Sequence, residues 1–286
     1  APRLLDKVTH KAAGINDLIL GRAELPMPEN VTEKNMRQIR AASKLIRRKQ
    51  RQYETQNLQF AEMREDAGLK EYLDRTTFIN KDGEVCEFTD LQKHDLNLVL
   101  QKRYALLNWQ QGSGKTAAVY HRAKYLLKFR KAKNVIILAP AIATNMTWIP
   151  FLTINKERFR TIQTAGDLNN IPEGTFLVVS TSMLRKLKRG LMRFVKRTSG
   201  KLCLVFDESD EITNPTSQRT RNILCIFRRL RYKILDTGTT TRNNIAELYS
   251  QFELLYNNSV NMICWSPQVY HENRDHEIEE ENNPDY

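Results

Sequence analysis

The sequence predicts an α/β fold: a mostly parallel sheet covered by helices on both faces, preceded by a helical N-terminal extension. Three observations lead there. From about residue 104 onward, short continuously apolar runs alternate with amphipathic stretches of helical period. Strands apolar on both sides belong to a sheet buried on both faces, which is the parallel arrangement. Second, Tyr104 to Thr116 is an apolar run ending in Gly112-Ser113-Gly114-Lys115-Thr116, and a helix-like stretch follows. Third, residues 29–72 contain no Pro and a single glycine, Gly68, and are rich in Gln, Arg, Lys, Glu and Leu.

Residues 1–28 are mixed and close on Pro26 and Pro28; residues 29–72 then read as helix. From Lys34 to Arg51 there are eight basic residues and no acidic one, and Arg37, Arg40, Lys44, Arg47 and Arg51 recur at intervals of three and four. They share one helix face, with Met36, Ile39 and Ile46 on the neighbouring face. The stripe is either a solvated surface or a contact for phosphates. Phe78-Ile79-Asn80, an Asp82-Gly83 turn and Val85 to Phe88 predict a hairpin. Strands are expected over Tyr104–Trp109, Asn134–Ala139, Arg160–Thr164, Phe176–Ser180, Leu202–Phe206 and Lys233–Asp236. Helices are expected over Lys115–Lys131, Thr144–Leu152, Ser182–Lys196, Gln218–Arg229 and Ile245–Tyr256. The organisation that follows is an extension over 1–76, an α/β lobe over 77–257, and an acidic tail or linker over 258–286.

At 286 residues the chain can bury a full core, and its mean hydropathy of −0.55 is ordinary for a soluble protein. No apolar run has membrane-span length and the N-terminus has no signal-peptide pattern, so no membrane partner is expected and an intracellular setting is. The four cysteines are far apart and read as reduced thiols, and neither they nor the five histidines show metal-ligand spacing. The net charge is +12, yet residues 271–286 carry seven acids against Arg274 alone, a net of −6, leaving +18 on residues 1–270. Such an excess fits a polyanionic partner as well as it fits solubility.

Ligands of open parallel sheets bind at the C-terminal strand ends, and the chemical motifs of this chain all fall there. Glycines let the loop of Gln111, Gly112, Ser113 and Gly114 turn its N–H groups toward phosphate oxygens, and the helix N-terminus adds its positive dipole end. Lys115 would reach the β- and γ-phosphates of ATP and the Thr116 hydroxyl would ligate Mg²⁺. Trp109 stands where the first glycine of this motif is usual. Cys203 to Phe206 is an apolar strand ending in Asp207 and Glu208, 92 positions beyond Lys115 for the aspartate. Asp207 suits a place on the metal and Glu208 that of the base orienting a water; the alternative is that the pair only caps the next segment. Thr237-Gly238-Thr239-Thr240 ends a further strand, with hydroxyls able to bond the phosphate side of the site or the turn from Asp207 to Asp210.

In this order the motifs resemble superfamily-two helicases, and more narrowly the Swi/Snf-type remodelling ATPases, over residues 90 to 257, one RecA-like P-loop lobe. Leu91-Gln92-Lys93-His94-Asp95 looks like the adenine-reading motif, with Asp95 in the place of its closing residue. Gly112 to Thr116 is similar to motif I; Leu138-Ala139-Pro140, with Trp148 eight residues on, to motif Ia; and Val178-Val179-Ser180-Thr181 to motif Ib. The resemblance places Pro140, Ser180 and Thr181 along nucleic acid, with Arg185, Lys186, Lys188 and Arg189 following directly. Asp207-Glu208-Ser209-Asp210 stands where the family has Asp-Glu-x-His, and Asn214-Pro215 follows. Thr237-Gly238-Thr239-Thr240, Asn243-Asn244 and Glu247-Leu248-Tyr249 resemble motif III, which assigns Asp210, Thr237, Gly238 and Thr239 to coupling.

The resemblance implies an ATP-binding and ATP-hydrolysing motor lobe, a DNA-dependent ATPase translocating on duplex DNA. A second RecA-like lobe, in cis or in trans, would supply arginines and complete the site; about 30 residues remain after motif III, too few for one. The competing expectation is a degenerate, non-enzymatic lobe kept for nucleic-acid binding or assembly. A small-molecule P-loop kinase is disfavoured by the long spacing and the basic charge.

Overall fold

The computed structural model describes residues 32–34, 36–37, 39–41, 43–44, 46–47, 63–198, 201–239 and 247–256. The chain divides into two compact units, Ala1–Met63 and Arg64–Tyr286. In the first, the described residues from 33 to 47 are helical. Arg37, Arg40, Lys44 and Arg47 are exposed, Met36 and Ile39 half-buried and Ile46 buried, as the periodicity predicted; Arg51 lies outside the described residues. Glu33 pairs with Arg37 one turn on. The helix expected over 29–72 does not run through. Residues 63–66 belong to no regular element, and Asp66 starts a new helix by accepting the Leu69 N–H at 2.8 Å.

That helix, α1 (Ala67–Asp74), opens the second unit. The predicted hairpin follows as β1 (Thr77–Ile79) and β2 (Val85–Glu87), with Phe78 opposite Cys86 and Gly83 at φ 84° in the turn. Helix α2 (Asp90–Leu100), not foreseen, starts in a capping box: Thr89 accepts from Gln92 N–H while the Gln92 side chain accepts from Thr89 N–H. The α/β part runs β3 (Tyr104–Leu107), α3 (Lys115–Lys128), β4 (Asn134–Ala139), then a helical run of three pieces: Ala141–Ala143, a π-turn Thr144–Trp148, and α4 (Ile149–Ile154). It continues with β5 (Phe159–Thr161), β6 (Phe176–Ser180), α5 (Leu184–Arg197), β7 (Leu202–Phe206), α6 (Gln218–Phe227), β8 (Tyr232–Asp236) and α7 (Leu248–Tyr256).

Six strands form one sheet in the order β3-β8-β7-β4-β6-β5, with every neighbouring pair parallel. β4, β7 and β8 are buried along their whole length; β7 and, after Asn134, β4 read as unbroken apolar runs for that reason, while β8 also buries Lys233 and Asp236. Alternate residues feed two cores. Val135, Ile137, Val178, Cys203, Val205 and Ile234 pack with α3, and Ile136, Leu138, Leu177, Leu204, Phe206 and Leu235 pack with α5, α6 and α7. Each fully buried Val, Leu or Ile contributes about 1.5–3 kcal/mol. β5, at the sheet edge, is half-buried throughout and sits earlier than the expected Arg160–Thr164.

Arg122 fixes where α3 begins. It is 0% exposed and donates to the carbonyls of Lys102 and Arg103 at 3.0 and 2.8 Å, tying the helix to the entry of β3. The crossover from β3 to β4 passes two strand positions, leaving β8 and β7 between them. The C-terminal ends of β3, β8 and β7 therefore stand side by side, and these are the ends that carry the glycine loop, Thr237-Gly238-Thr239 and Asp207-Glu208.

Candidate functional site

Between β3 and α3 the chain curls through Gly112 at φ 82° and Gly114 at φ 81°, left-handed conformations in which a side chain would strain the backbone. Gly114 is the N-cap of α3 and has no capping side chain, so the first N–H groups of the helix are left for an external acceptor. Lys115 Nζ folds back on the loop, donating to the carbonyls of Trp109 at 3.0 Å and Gln110 at 3.1 Å. Ser113 Oγ donates to the Gln110 carbonyl at 2.6 Å, and Gln111 is exposed. The loop is a preformed cradle of donors with a cation at its centre.

Asp95 Oδ2 accepts the Trp109 indole N–H at 2.8 Å, so two of the atypical residues of the motifs are partners of one another. The α2 side chain that reaches the glycine loop is Gln92, whose Nε2 donates to the Ser113 carbonyl at 2.9 Å. The signal for Gln92 was in the sequence, as the last residue of the capping box Thr89-x-x-Gln92.

At the end of β7 Asp207 is 8% exposed; its N–H donates to the Leu138 carbonyl at 2.9 Å and its Oδ2 accepts from Trp148 Nε1 at 2.7 Å. Trp148 is fully buried. Glu208 follows at φ 53°, half-buried, a left-handed residue that turns the chain sharply after the strand. Burial first, then the neighbouring Asp207 and Asp210, push its pKa above the usual carboxylate value, and Lys115 pulls it back. A carboxylate with a raised pKa is a stronger proton acceptor than a free one. The sequence reading missed Asp236, the last residue of β8. It is 1% exposed, its Oδ2 has no partner among the described residues, and burial and the neighbouring Asp207 push its pKa well above the usual range.

The loop after β8 joins the two halves of the site. Thr237 N–H donates to the Leu107 carbonyl at 3.2 Å, and Thr237 Oγ1 lies 3.3 Å from Asp210 Oδ1 and 2.9 Å from the Thr239 carbonyl. A Cβ on Gly238 would stand 3.5 Å from Lys115 Nζ and 3.8 Å from Gln111 N, so this loop lies directly against the glycine cradle. Thr240, Asn243 and Asn244 lie outside the described residues.

The residues expected along nucleic acid separate. Ala139 and Ser180 are partners in the β4–β6 register, so Pro140 and Ser180 stand at neighbouring strand ends, both half-buried. Thr181 is 5% exposed, at the start of the short helical turn Thr181–Met183. Helix α5 buries Leu184, Leu187, Leu191 and Phe194 and exposes Arg185, Lys186, Arg189, Arg193 and Lys196 on its other side, with Lys188 half-buried.

Comparison with known proteins fits this architecture. Residues 37–242 match the family described as Type III restriction enzyme, res subunit. The ATP-dependent helicase FUN30 of Saccharomyces cerevisiae is 27% identical over 175 residues, covering 57% of this chain and 15% of that protein. Among solved structures, the SWI2/SNF2 ATPase core of Sulfolobus solfataricus in complex with dsDNA superposes with a TM-score of 0.53 at 16% identity, over 69% of this chain and 41% of that one. The SWI2/SNF2 ATPase core domain from the same organism gives 0.53 and 16% over 70% and 40%. The chain thus spans well under half the length of these relatives. With more than half of its residues matched and the strand order and motifs in place, the chain belongs to the Type III restriction enzyme res-subunit family and has a RecA-like α/β fold similar to that of the SWI2/SNF2 ATPase cores.

Proposed function

We propose that this lobe binds ATP with Mg²⁺, hydrolyses it once a second RecA-like lobe completes the site, and uses the cycle to move along duplex DNA. The observation that carries this reading is the convergence of Lys115, Asp207, Glu208 and Gly238 at the C-terminal ends of three adjacent parallel strands. The residues suit such ligands: Lys115 holds loop carbonyls that phosphate oxygens can replace, and Thr116 and Asp207 are the hard oxygen donors that Mg²⁺ takes. Bound there, Mg²⁺ would neutralise charge on the transferred phosphate. Lys115 would bind and orient the phosphates. Glu208 would take the proton of the attacking water, its raised pKa keeping it a usable base. Thr237, bonded to Asp210, would carry the change at the cradle into the turn after β7.

Pro140, Ser180 and the outer side of α5 form the DNA-facing side in this reading, and the dsDNA complex of a structural relative supports a duplex partner. The ATP dependence named for the yeast relative supports the nucleotide. No described helix is long and apolar enough to cross a membrane. The free thiols of Cys86, Cys203 and Cys225 support an intracellular setting, and the lobe is proposed over residues 77–257, with α1 packed in the same compact unit. The test is ATP hydrolysis with and without duplex and single-stranded DNA, with Lys115→Ala as the blank. Turnover above the blank and raised by duplex supports the proposal; the same turnover in both chains refutes it.

A further inference from the structure

Asp207 is fixed twice from one segment. Its backbone N–H meets the Leu138 carbonyl of β4 at 2.9 Å, and its carboxylate meets the indole N–H of Trp148, ten residues further along, at 2.7 Å. Between them the chain leaves β4 at Pro140 and widens into a π-turn from Thr144 to Trp148, closed by the Ile149 N–H on the Thr144 carbonyl. Such a turn shifts every later side chain around the helix axis and is frequent at functional sites. The shifted residue here is Trp148, fully buried, with its single donor spent on the carboxylate at the end of the neighbouring strand. A tryptophan kept only for packing needs a partner for its N–H, but a nearby carbonyl serves as well.

We propose that Trp148 is a positioning residue: delivered by the π-turn, its N–H holds the Asp207 carboxylate in the orientation that meets the nucleotide-bound cation. The proposal rests on the nucleotide-site reading. It also makes the set of Asp207 depend on the segment after Pro140, which lies on the DNA-facing side.

The test is Trp148→Phe in the full chain, with a fluorescent ATP analogue titrated against Mg²⁺ and, separately, in chelator. Partners that orient a metal ligand typically matter 10- to 100-fold in metal affinity. The Mg²⁺ needed for half-maximal tight binding should rise about 10-fold or more, while affinity in chelator and the thermal midpoint stay near wild type. In an Asp207→Asn background the same substitution should add nothing, because its effect runs through Asp207. An unchanged Mg²⁺ requirement in folded Trp148→Phe, or the same loss without Asp207, would overturn the proposal. Should Trp148→Phe not fold, the wild-type indole N–H of Trp148 can be read by NMR. It should be protected from exchange and should shift on Asp207→Asn, and a freely exchanging, unshifted signal would refute the bond. A wild-type chain that binds no nucleotide would overturn the nucleotide-site reading itself, and this inference with it.

Discussion

Neutralising the outer side of α5 gives a prediction with a calculable size. Arg185, Lys186 and Arg189 are exposed and Lys188 half-buried, on a helix whose other side anchors through Leu184, Leu187, Leu191 and Phe194. Replacing the four cations by Gln keeps helix propensity and leaves the anchor untouched. Each phosphate neutralised on duplex DNA contributes about 0.9 to the slope of log affinity against log salt. If the three exposed cations engage, the slope falls by roughly 2.7. Between about 50 and about 200 mM salt, wild type should then lose about 40-fold more affinity than the variant. Fluorescence anisotropy of a labelled duplex across that range reads the slope directly. Parallel lines for the two proteins would refute the placement of DNA on α5 and leave these residues as a solvated helix face.

Other consequences follow from the site. Glu208→Gln should bind ATP within a few-fold of wild type and lose about 10²-fold or more in turnover in any form completed by a second lobe. Full single-turnover activity would remove Glu208 as the base. Gly238→Val should cost nucleotide affinity about 10-fold while Gly238→Ala is tolerated, because an added Cβ sits at an ordinary 3.5 Å from Lys115 and further carbons must press into the cradle. Equal affinity in both variants would deny that contact. Lys233, buried and donating to the Arg228 and Leu254 carbonyls at 2.7 and 2.6 Å, has its pKa lowered by burial to about 7 from 10.5. Its unfolded state therefore binds more protons between pH 7 and 10.5, and wild type should gain stability on Lys233→Met as pH rises through that window. A stability difference that is flat with pH would contradict it.

How much the sequence revealed depended on whether the signal was local. Asn134–Ala139, Phe176–Ser180 and Leu202–Phe206 were read residue for residue, because strands buried on both faces must be apolar throughout. β5 slipped because an edge strand carries Arg160 and Thr161 and loses that signature. The helical reading of 29–72 missed the break at 63–66, where Asp66 acts through a cap that propensity does not register. That Lys115 follows β3 and that Asp207 and Glu208 follow β7 was legible from motif order; that Trp148 and Asp236 stand beside Asp207 was not, since it arises from strand order: β8 lies between β3 and β7, and β4 beside β7, neighbours that no spacing in the chain announces. The contact of Asp95 with Trp109 was hidden for the same reason, being made in space and not along the chain.

The central claim is a triphosphate site centred on Lys115. The most direct test is equilibrium binding of ATP in the presence of Mg²⁺ to wild type and to Lys115→Ala. Charge-assisted bonds from this ammonium are worth about 1.5–3 kcal/mol each, so the variant should bind about 10- to 100-fold more weakly. Equal binding by the two proteins, or none by wild type, would contradict the account.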